Sequence, residues 1–310
     1  MINKIAITII ILLLVLPTTS FALEMPRSGN DLAQMNGVSA AAFAVVDAKT
    51  GSVLMEKGSD DPRVPASLTK LVTALVVLDA KPKLSRTVSM ATADQTAGMC
   101  GSGGACIKSK AGVKFTVDGL FHAALIPSAN NAANALARST GLSSSEFVAR
   151  MNKKAASLGA ANTYFYEPTG LDPRNTTTAL DYTKIVAAAF SNSYLRQVAA
   201  LSRYTLKSTN YSGYTQTIKN TDKLLADADM QMLGAKTGYL DEAQYNFASL
   251  LKYRGGQELA IVVLGEQHLY TAFAETKLLA SMAEAAQVLA LYNQNPAVLG
   301  TTTQISFQNN

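Results

Sequence analysis

Residues 65–80, Pro-Ala-Ser-Leu-Thr-Lys-Leu-Val-Thr-Ala-Leu-Val-Val-Leu-Asp-Ala, constrain this chain more than any other stretch. Pro65 stands where a helix tolerates proline, just ahead of its periodic part. From there apolar residues fall at 68, 71, 72, 75, 76 and 78, and Val77 fills the remaining side. A helix that is apolar almost all round has to run through a core, so the rest of the chain must cover it. Ser67 and Lys70 are three apart and share one face of the first turn. The unpaired N–H groups and the positive end of the helix dipole lie there too. Dipole and burial both disfavour a charged lysine, which predicts a neutral amine able to take a proton from Ser67.

The chain has 310 residues, of which 48% are hydrophobic and 16% charged. That composition supports one large domain or two modest ones with a sizeable core, and it excludes a disordered protein. Residues 1–22 read as a secretory signal. Lys4 is the positive end, residues 5–15 are almost wholly apolar, and Ser20-Phe21-Ala22 is a small-x-small cleavage site. The apolar run is short for a span of about 20 residues, so an exported protein without a stable membrane anchor after cleavage is expected. The net charge of +5 comes from scattered basic residues, which gives nucleic-acid binding no support. Cys100 and Cys106 bracket Gly-Ser-Gly-Gly-Ala; in an exported chain they form a possible disulfide, with two free thiols as the alternative. The only histidines, His122 and His268, have no ligand spacing, so neither a metal nor another cofactor is expected. His122, on an apolar helical pattern, reads as a satisfied core residue.

Residues 41–47 and 52–56 read as two strands joined by a turn ending at Gly51. The core helix follows. Residues 81–117 read as loops with short pieces of structure. Helical patterns cover 118–138, broken by Pro127, then 145–158 and 177–190. Strand patterns then appear at 204–206, 231–235, 246–253 and 258–265, the last two joined by Arg254-Gly255-Gly256. Leu259 to Leu264 is continuously apolar and fits a central strand covered on both faces. A helix at 270–292 and a polar tail close the chain. The simplest assembly is an α/β protein of the α+β type. An antiparallel sheet of about five strands pairs the early hairpin with the late strands, and the N- and C-terminal helices flank it. Residues 81–202 form an inserted helical lobe, and a cleft between lobes is the natural ligand site.

Ser67-x-x-Lys70 has a second copy, Ser249-x-x-Lys252, in a strand pattern where positions three apart point to opposite faces. Ser128-Ala129-Asn130 follows Pro127, and Lys236-Thr237-Gly238 ends the strand pattern begun at Gln231. Ser28-Gly29-Asn30, Ser208-Thr209-Asn210 and Lys49-Thr50-Gly51 duplicate these short motifs, so none is specific alone. The ordered trio is specific, and it is the set found in penicillin-binding proteins and class A β-lactamases.

On these residues the chain resembles the low-molecular-mass penicillin-binding proteins, the serine D-alanyl-D-alanine carboxypeptidase/endopeptidase family. The resemblance runs from about residue 41 to 290. Beyond the trio it includes residues 45–51 (Val-Val-Asp-Ala-Lys-Thr-Gly), 126–133 (Ile-Pro-Ser-Ala-Asn-Asn-Ala-Ala) and 166–172 (Tyr-Glu-Pro-Thr-Gly-Leu-Asp). Val76-Val77-Leu78-Asp79-Ala80 and Tyr166-Glu167-Pro168 are most similar to the short periplasmic DD-endopeptidase branch. The resemblance implies a β-lactamase/transpeptidase-like domain over residues 23–300, with 301–310 as a tail, placed in the periplasm. It implies peptidoglycan stem peptides as substrates and β-lactam antibiotics as covalent inhibitors. It also implies roles: Ser67 as acylated nucleophile, Lys70 as general base, Ser128 as proton relay to the leaving amine. Asn130 would hold the substrate amide and orient Lys70. Lys236, Thr237 and Gly238 would line the substrate strand, and the backbone N–H groups of Ser67 and Tyr239 would form the oxyanion hole. Ala129 stands where many relatives have glycine, and the 100–106 loop has no counterpart in the pattern. Two other readings compete. One is a class A-like β-lactamase, in which Glu167 would activate water; within Glu-Pro-Thr-Gly-Leu-Asp it reads better as structural. The other is a non-catalytic peptidoglycan-binding homologue, which the cost of burying unused polar groups argues against.

Overall fold

A computed structural model describes residues 37–95, 100 and 104–294, the last four by backbone alone. Residues 1–22, read above as a secretory signal, Ser28-Gly29-Asn30 and the tail at 301–310 lie outside the described residues. Ala42–Asp47 (β1) and Val53–Lys57 (β2) form the early hairpin, and Asp47 Oδ1 closes its turn by accepting the N–H groups of Lys49 and Thr50 at 2.8 Å. Three late strands follow: Met230–Leu240 (β7), Gln244–Tyr253 (β8) and Glu258–Glu266 (β9). Together they make one antiparallel sheet in the order β2-β1-β9-β8-β7.

The period of two splits the core. Ala42, Ala44, Val46, Leu250, Ala260, Val262 and Leu264 face the helical lobe; Phe43, Val45, Phe247, Leu251, Ile261 and Val263 face the closing helix Leu269–Gln294 (α7). The central strand β9 is therefore covered on both sides, as its apolar run predicts. Cutting its buried Ile261, Leu259 or Leu264 to alanine costs about 2–5 kcal/mol.

The helical lobe holds Lys70–Asp79 (α1), Val117–Leu125 (α2), Asn130–Ser139 (α3), Ser144–Ser157 (α4), Ala179–Ser191 (α5) and Ser193–Ala199 (α6). Four of these six helix starts are capped by side chains. Thr116 caps α2, Ser143 and Glu146 make a reciprocal capping box on α4, Thr178 caps α5 and Asn192 caps α6. Two short antiparallel pairs complete it, Thr87–Ser89 (β3) with Lys114–Thr116 (β4), and Arg203–Lys207 (β5) with Thr215–Lys219 (β6).

Four local readings of the sequence change. The core helix opens as a 3-10 turn, Ala66–Thr69, and only Lys70 onward is α-helical. Lys236-Thr237-Gly238 lies inside β7, which continues to Leu240 instead of ending at Ala235. The strand near Tyr204 pairs with β6 outside the main sheet, because the late sheet edge is already β7. Helix α6 and strand β6 were not legible. The first is under two turns long, and the second buries only Ile218. His122 is buried, stacked 3.8 Å from the Tyr204 ring and bonded to the Asp118 carbonyl, so it is a core residue.

Where the start of β1 meets α7, the buried Glu266 and Glu275 converge on Ser39. Ser39 Oγ donates to Glu275 at 2.7 Å and to Glu266 at 3.1 Å, and the Ala40 N–H donates to Glu275 at 3.2 Å. Burial first, then the like charge of Glu275, pushes the Glu266 carboxyl up to about 7. A folded pKa above the unfolded value means that folding favours the protonated form. The stabilisation is full below the ordinary carboxyl range and is lost as pH rises through about 7. The Glu266→Gln protein should therefore melt a few degrees above the parent at pH 8, with the gap closing toward pH 5. Thermal unfolding across that pH series checks this; a gap independent of pH contradicts it.

Candidate active site

Ser67 sits in the 3-10 turn behind Ala66, whose φ of +49° is left-handed. Three supports hold that turn. Gly170, at φ +89°, presses its backbone on it; a Cβ there would overlap the Ala66 carbonyl and stand 2.9 Å from the Ser67 nitrogen. The buried Tyr182 hydroxyl donates to the Leu68 carbonyl. Asn246 on β8 donates to the Val64 carbonyl at 2.9 Å and accepts the Gly265 N–H at 2.9 Å, so it ties the sheet to the approach of the turn.

Lys70 follows at the start of α1, 1% exposed. Its Nζ donates to Ser67 Oγ at 2.7 Å and to the Thr169 carbonyl at 2.6 Å. One turn on, Thr73 Oγ1 donates to the Pro168 carbonyl at 2.6 Å, so residues 167–170 brace the helix in two places. Glu167 shapes that brace. Its Oε2 accepts the Thr169 N–H at 2.6 Å; its Oε1 accepts the Leu171 N–H at 3.0 Å and Asn175 Nδ2 at 2.8 Å. A carboxylate bound inward on this many donors is a loop organiser, which agrees with its structural reading.

Ser128 ends the break between α2 and α3 at φ +66°, a strained left-handed position for a residue with a Cβ. Lys236 on β7, also 1% exposed, donates to Ser128 Oγ at 2.7 Å and to the Thr237 carbonyl at 2.8 Å. Asn130 is buried in the first turn of α3. Thr237 Oγ1 donates to Thr221 Oγ1 at 2.8 Å. Gly238 faces the 3-10 turn; a Cβ on it would stand 2.9 Å from the Pro65 oxygen and 3.3 Å from the Ser67 nitrogen. Only a residue without a Cβ lets strand and turn lie this close. Tyr239 is half-exposed, its ring 4.5 Å from that of Tyr245.

The sequence motifs, 61 and 108 residues apart between their serines and then between Ser128 and Lys236, thus meet at one place. Their second copies do not. Ser249 and Lys252 point apart on β8, to the Ile261 carbonyl and to Glu258, and Lys49-Thr50-Gly51 is the β1–β2 turn.

The electrostatics follow from burial. Desolvation lowers Lys70 to about 7, and the Glu167 carboxylate opposes part of that fall. Lys236 is lowered well below its ordinary value, first by burial and then by the positive charge of Lys70. An amine that is about half neutral near pH 7, 2.7 Å from a serine hydroxyl, can activate it as a nucleophile. The sequence reading missed Thr221 and Asn246, which reach the site from distant segments with no motif to mark them. Gly170 was visible inside Glu-Pro-Thr-Gly-Leu-Asp, but its contact with Ala66 was not. The structure also contains the disulfide between Cys100 and Cys106.

Residues 30–268 match the family model described as Peptidase_S11, D-alanyl-D-alanine carboxypeptidase. The chain is 30% identical over 266 residues to a D-alanyl-D-alanine endopeptidase of Pseudomonas aeruginosa, covering 86% of this chain and 83% of that one. It is 35% identical over 228 residues to the D-alanyl-D-alanine carboxypeptidase DacB2 of Mycobacterium tuberculosis, covering 73% and 74%. The crystal structure of the Streptomyces K15 DD-transpeptidase superposes with a TM-score of 0.75 at 28% identity, covering 80% of this chain and 98% of that chain. With the family model spanning most of its length, this chain belongs to the D-alanyl-D-alanine carboxypeptidase family of serine peptidases.

Proposed function

We propose that Ser67 is the residue acylated by peptidoglycan stem peptides and by β-lactams, with Lys70 as its general base. The observation that carries this is the 2.7 Å contact from the buried Lys70 amine to Ser67 Oγ, with that amine lowered to about 7. Lys70 takes the hydroxyl proton as Ser67 attacks the carbonyl carbon of the D-alanine. The backbone N–H groups of Ser67 and Tyr239 receive the developing oxyanion; one such donor is worth about 3–4 kcal/mol. Ser128, bonded to Lys236, passes a proton to the leaving amine. Asn130 holds the substrate amide and orients Lys70, and Lys236 with Thr237 meets the substrate carboxylate beside Gly238. Water then releases the acyl group. Burial of both lysine amines beside serines, with no carboxylate among the described residues hydrogen-bonded to either, supports this use over a non-catalytic binding role, since burying an amine without an ion-pair partner is costly.

Labelling by a fluorescent penicillin tests the reading: the parent is labelled covalently, and labelling of Ser67→Ala refutes it. Acylation should also rise as pH passes upward through about 7, because the active amine is the deprotonated one, and then level off. A flat profile between pH 5.5 and 8.5 contradicts Lys70 as base. Glu167 is occupied by its own loop, so rapid turnover of a chromogenic cephalosporin, the mark of a β-lactamase, is not expected.

Residues 23–300 are read as the mature peptidase, with 81–202 as its inserted lobe, carried to the periplasm by a cleaved signal at 1–22. The relatives are named as a D-alanyl-D-alanine endopeptidase and a D-alanyl-D-alanine carboxypeptidase, and the two bonds in play for this chain are the terminal D-Ala–D-Ala bond and a D-Ala–diaminopimelate cross-link. Incubation with monomeric and cross-linked muropeptides separates them by the product formed.

A further inference from the structure

Helix α3 carries Asn130 on its first turn, yet none of its own side chains caps it; the N-cap residue is Ala129. The first helical N–H, that of Asn130, donates instead to the Ala105 carbonyl at 2.7 Å. An oxygen at this place satisfies one of the donors a helix start leaves open and complements its positive end. The next residue of the helix, Asn131, grips the same segment in both directions. Asn131 Oδ1 accepts the Ile107 N–H at 3.1 Å, and Asn131 Nδ2 donates to the Ile107 carbonyl at 3.0 Å. Ile107 is itself buried in the helical-lobe core. Beyond it, Lys108 exchanges two bonds with the Gln216 side chain, each 3.2 Å. Residues 105–108 thus form a strap between α3 and β6. Ala105, the residue that caps the helix, lies inside the loop closed by Cys100 and Cys106.

We infer that the Cys100–Cys106 disulfide is a positioning element of the acylation site: it holds the Ala105 carbonyl on the Asn130 N–H and so fixes the start of α3 behind Ser128. The inference rests on the acylation reading above. The strap has two unequal ends. Past Cys106, Ile107 and Lys108 are anchored by packing and by Asn131 and Gln216. Ahead of it, Ala105 adds its carbonyl bond to the helix, and the disulfide ties the chain that leads into Ala105 back to Cys106. Opening the disulfide gives that end its loop entropy back, at the expense of the defined Asn130 cap. Ser128, two residues upstream and already in a left-handed conformation, loses part of the structure that keeps it there. A displacement of about 1 Å at catalytic groups can cost a hundredfold in rate. The opening step is a two-electron exchange. A dithiol reductant is oxidised to its own disulfide while Cys100 and Cys106 each take up a hydrogen and become thiols.

The test compares fluorescent-penicillin acylation of the oxidised parent, the parent reduced by a dithiol with two thiols then titrated, and the Cys100→Ser/Cys106→Ser double variant. At 25 °C the reduced and double-variant proteins should acylate about ten- to a hundredfold more slowly. Reoxidation should restore the parent and leave the double variant unchanged. A merely structural disulfide lowers the melting temperature and leaves the 25 °C acylation rate alone; that result overturns the inference. If the double variant does not fold, the reduced parent, checked by circular dichroism, decides alone. Failure of the oxidised parent to acylate at all refutes the Ser67 reading instead, so the two failures are distinct.

Discussion

Lys70→Arg should lower the rate of Ser67 acylation by about 10²–10⁴-fold, the range a positioned general base contributes. The substitution keeps a positive, hydrogen-bonding side chain and removes the ability to lose a proton near neutral pH. Burial is what makes the lysine useful: it lowers the amine to about 7, so a large fraction is neutral at physiological pH. No comparable fall brings a guanidinium into that range. The variant should also lose the rise in rate through pH 7, because the group that titrates there is gone. Stopped-flow or gel-based acylation by a fluorescent penicillin across pH 5.5–9 reads both effects. Parent-like acylation in this variant would exclude Lys70 as the base. The larger guanidinium also crowds the Thr169 carbonyl, so circular dichroism and the melting temperature need to accompany the rates.

Gly170→Ala is expected to damage the site from outside the three motifs. Position 170 holds φ at +89°, and an added Cβ overlaps the Ala66 carbonyl, which is backbone and cannot swing aside. The left-handed conformation costs about 1–3 kcal/mol in a residue with a side chain. Overpacking adds about 1–3 kcal/mol more. Whatever moves to relieve the overlap is the segment carrying Ser67 or the one carrying the Thr169 carbonyl, the second partner of Lys70. Acylation should therefore fall about a hundredfold, together with the melting temperature. Gly141→Ala is the control. Its φ of +79° is just as unfavourable for alanine, but nothing lies within 4 Å of the added carbon. It should lose some stability and keep its acylation rate. Equal effects of the two substitutions on acylation would show that backbone strain alone accounts for Gly170.

Much of the fold was legible because the signals were local. The apolar helix at Lys70–Asp79, the hairpin of β1 and β2 with its turn at Gly51, the continuous apolar run of β9 and the helical pattern of α4 each declare themselves within about a dozen residues. The misread elements were those whose identity depends on a distant partner. Residues 215–219 become a strand because 203–207 lie beside them, and β7 continues past Ala235 because β8 pairs with it down to Gln244. The polar, glycine-bearing Lys236-Thr237-Gly238 has little strand propensity of its own, and tertiary pairing overrides that.

The candidate site divides in the same way. Side-chain chemistry is a property of residue type and short spacing, so the sequence by itself determined the serine, the nearby lysine and the trio of motifs, and with them the reaction class. Distances, burial and charge state belong to packing between segments. Only the tertiary structure decided that Glu167 is consumed by its own loop, that Gly170 and Gly238 bring two backbones against the Ser67 turn, and that Lys236 reaches Ser128. The lowering of Lys70 was expected from its place on a core helix, yet the burial that causes it is completed by packing from distant segments, the Thr169 carbonyl 99 residues away among them.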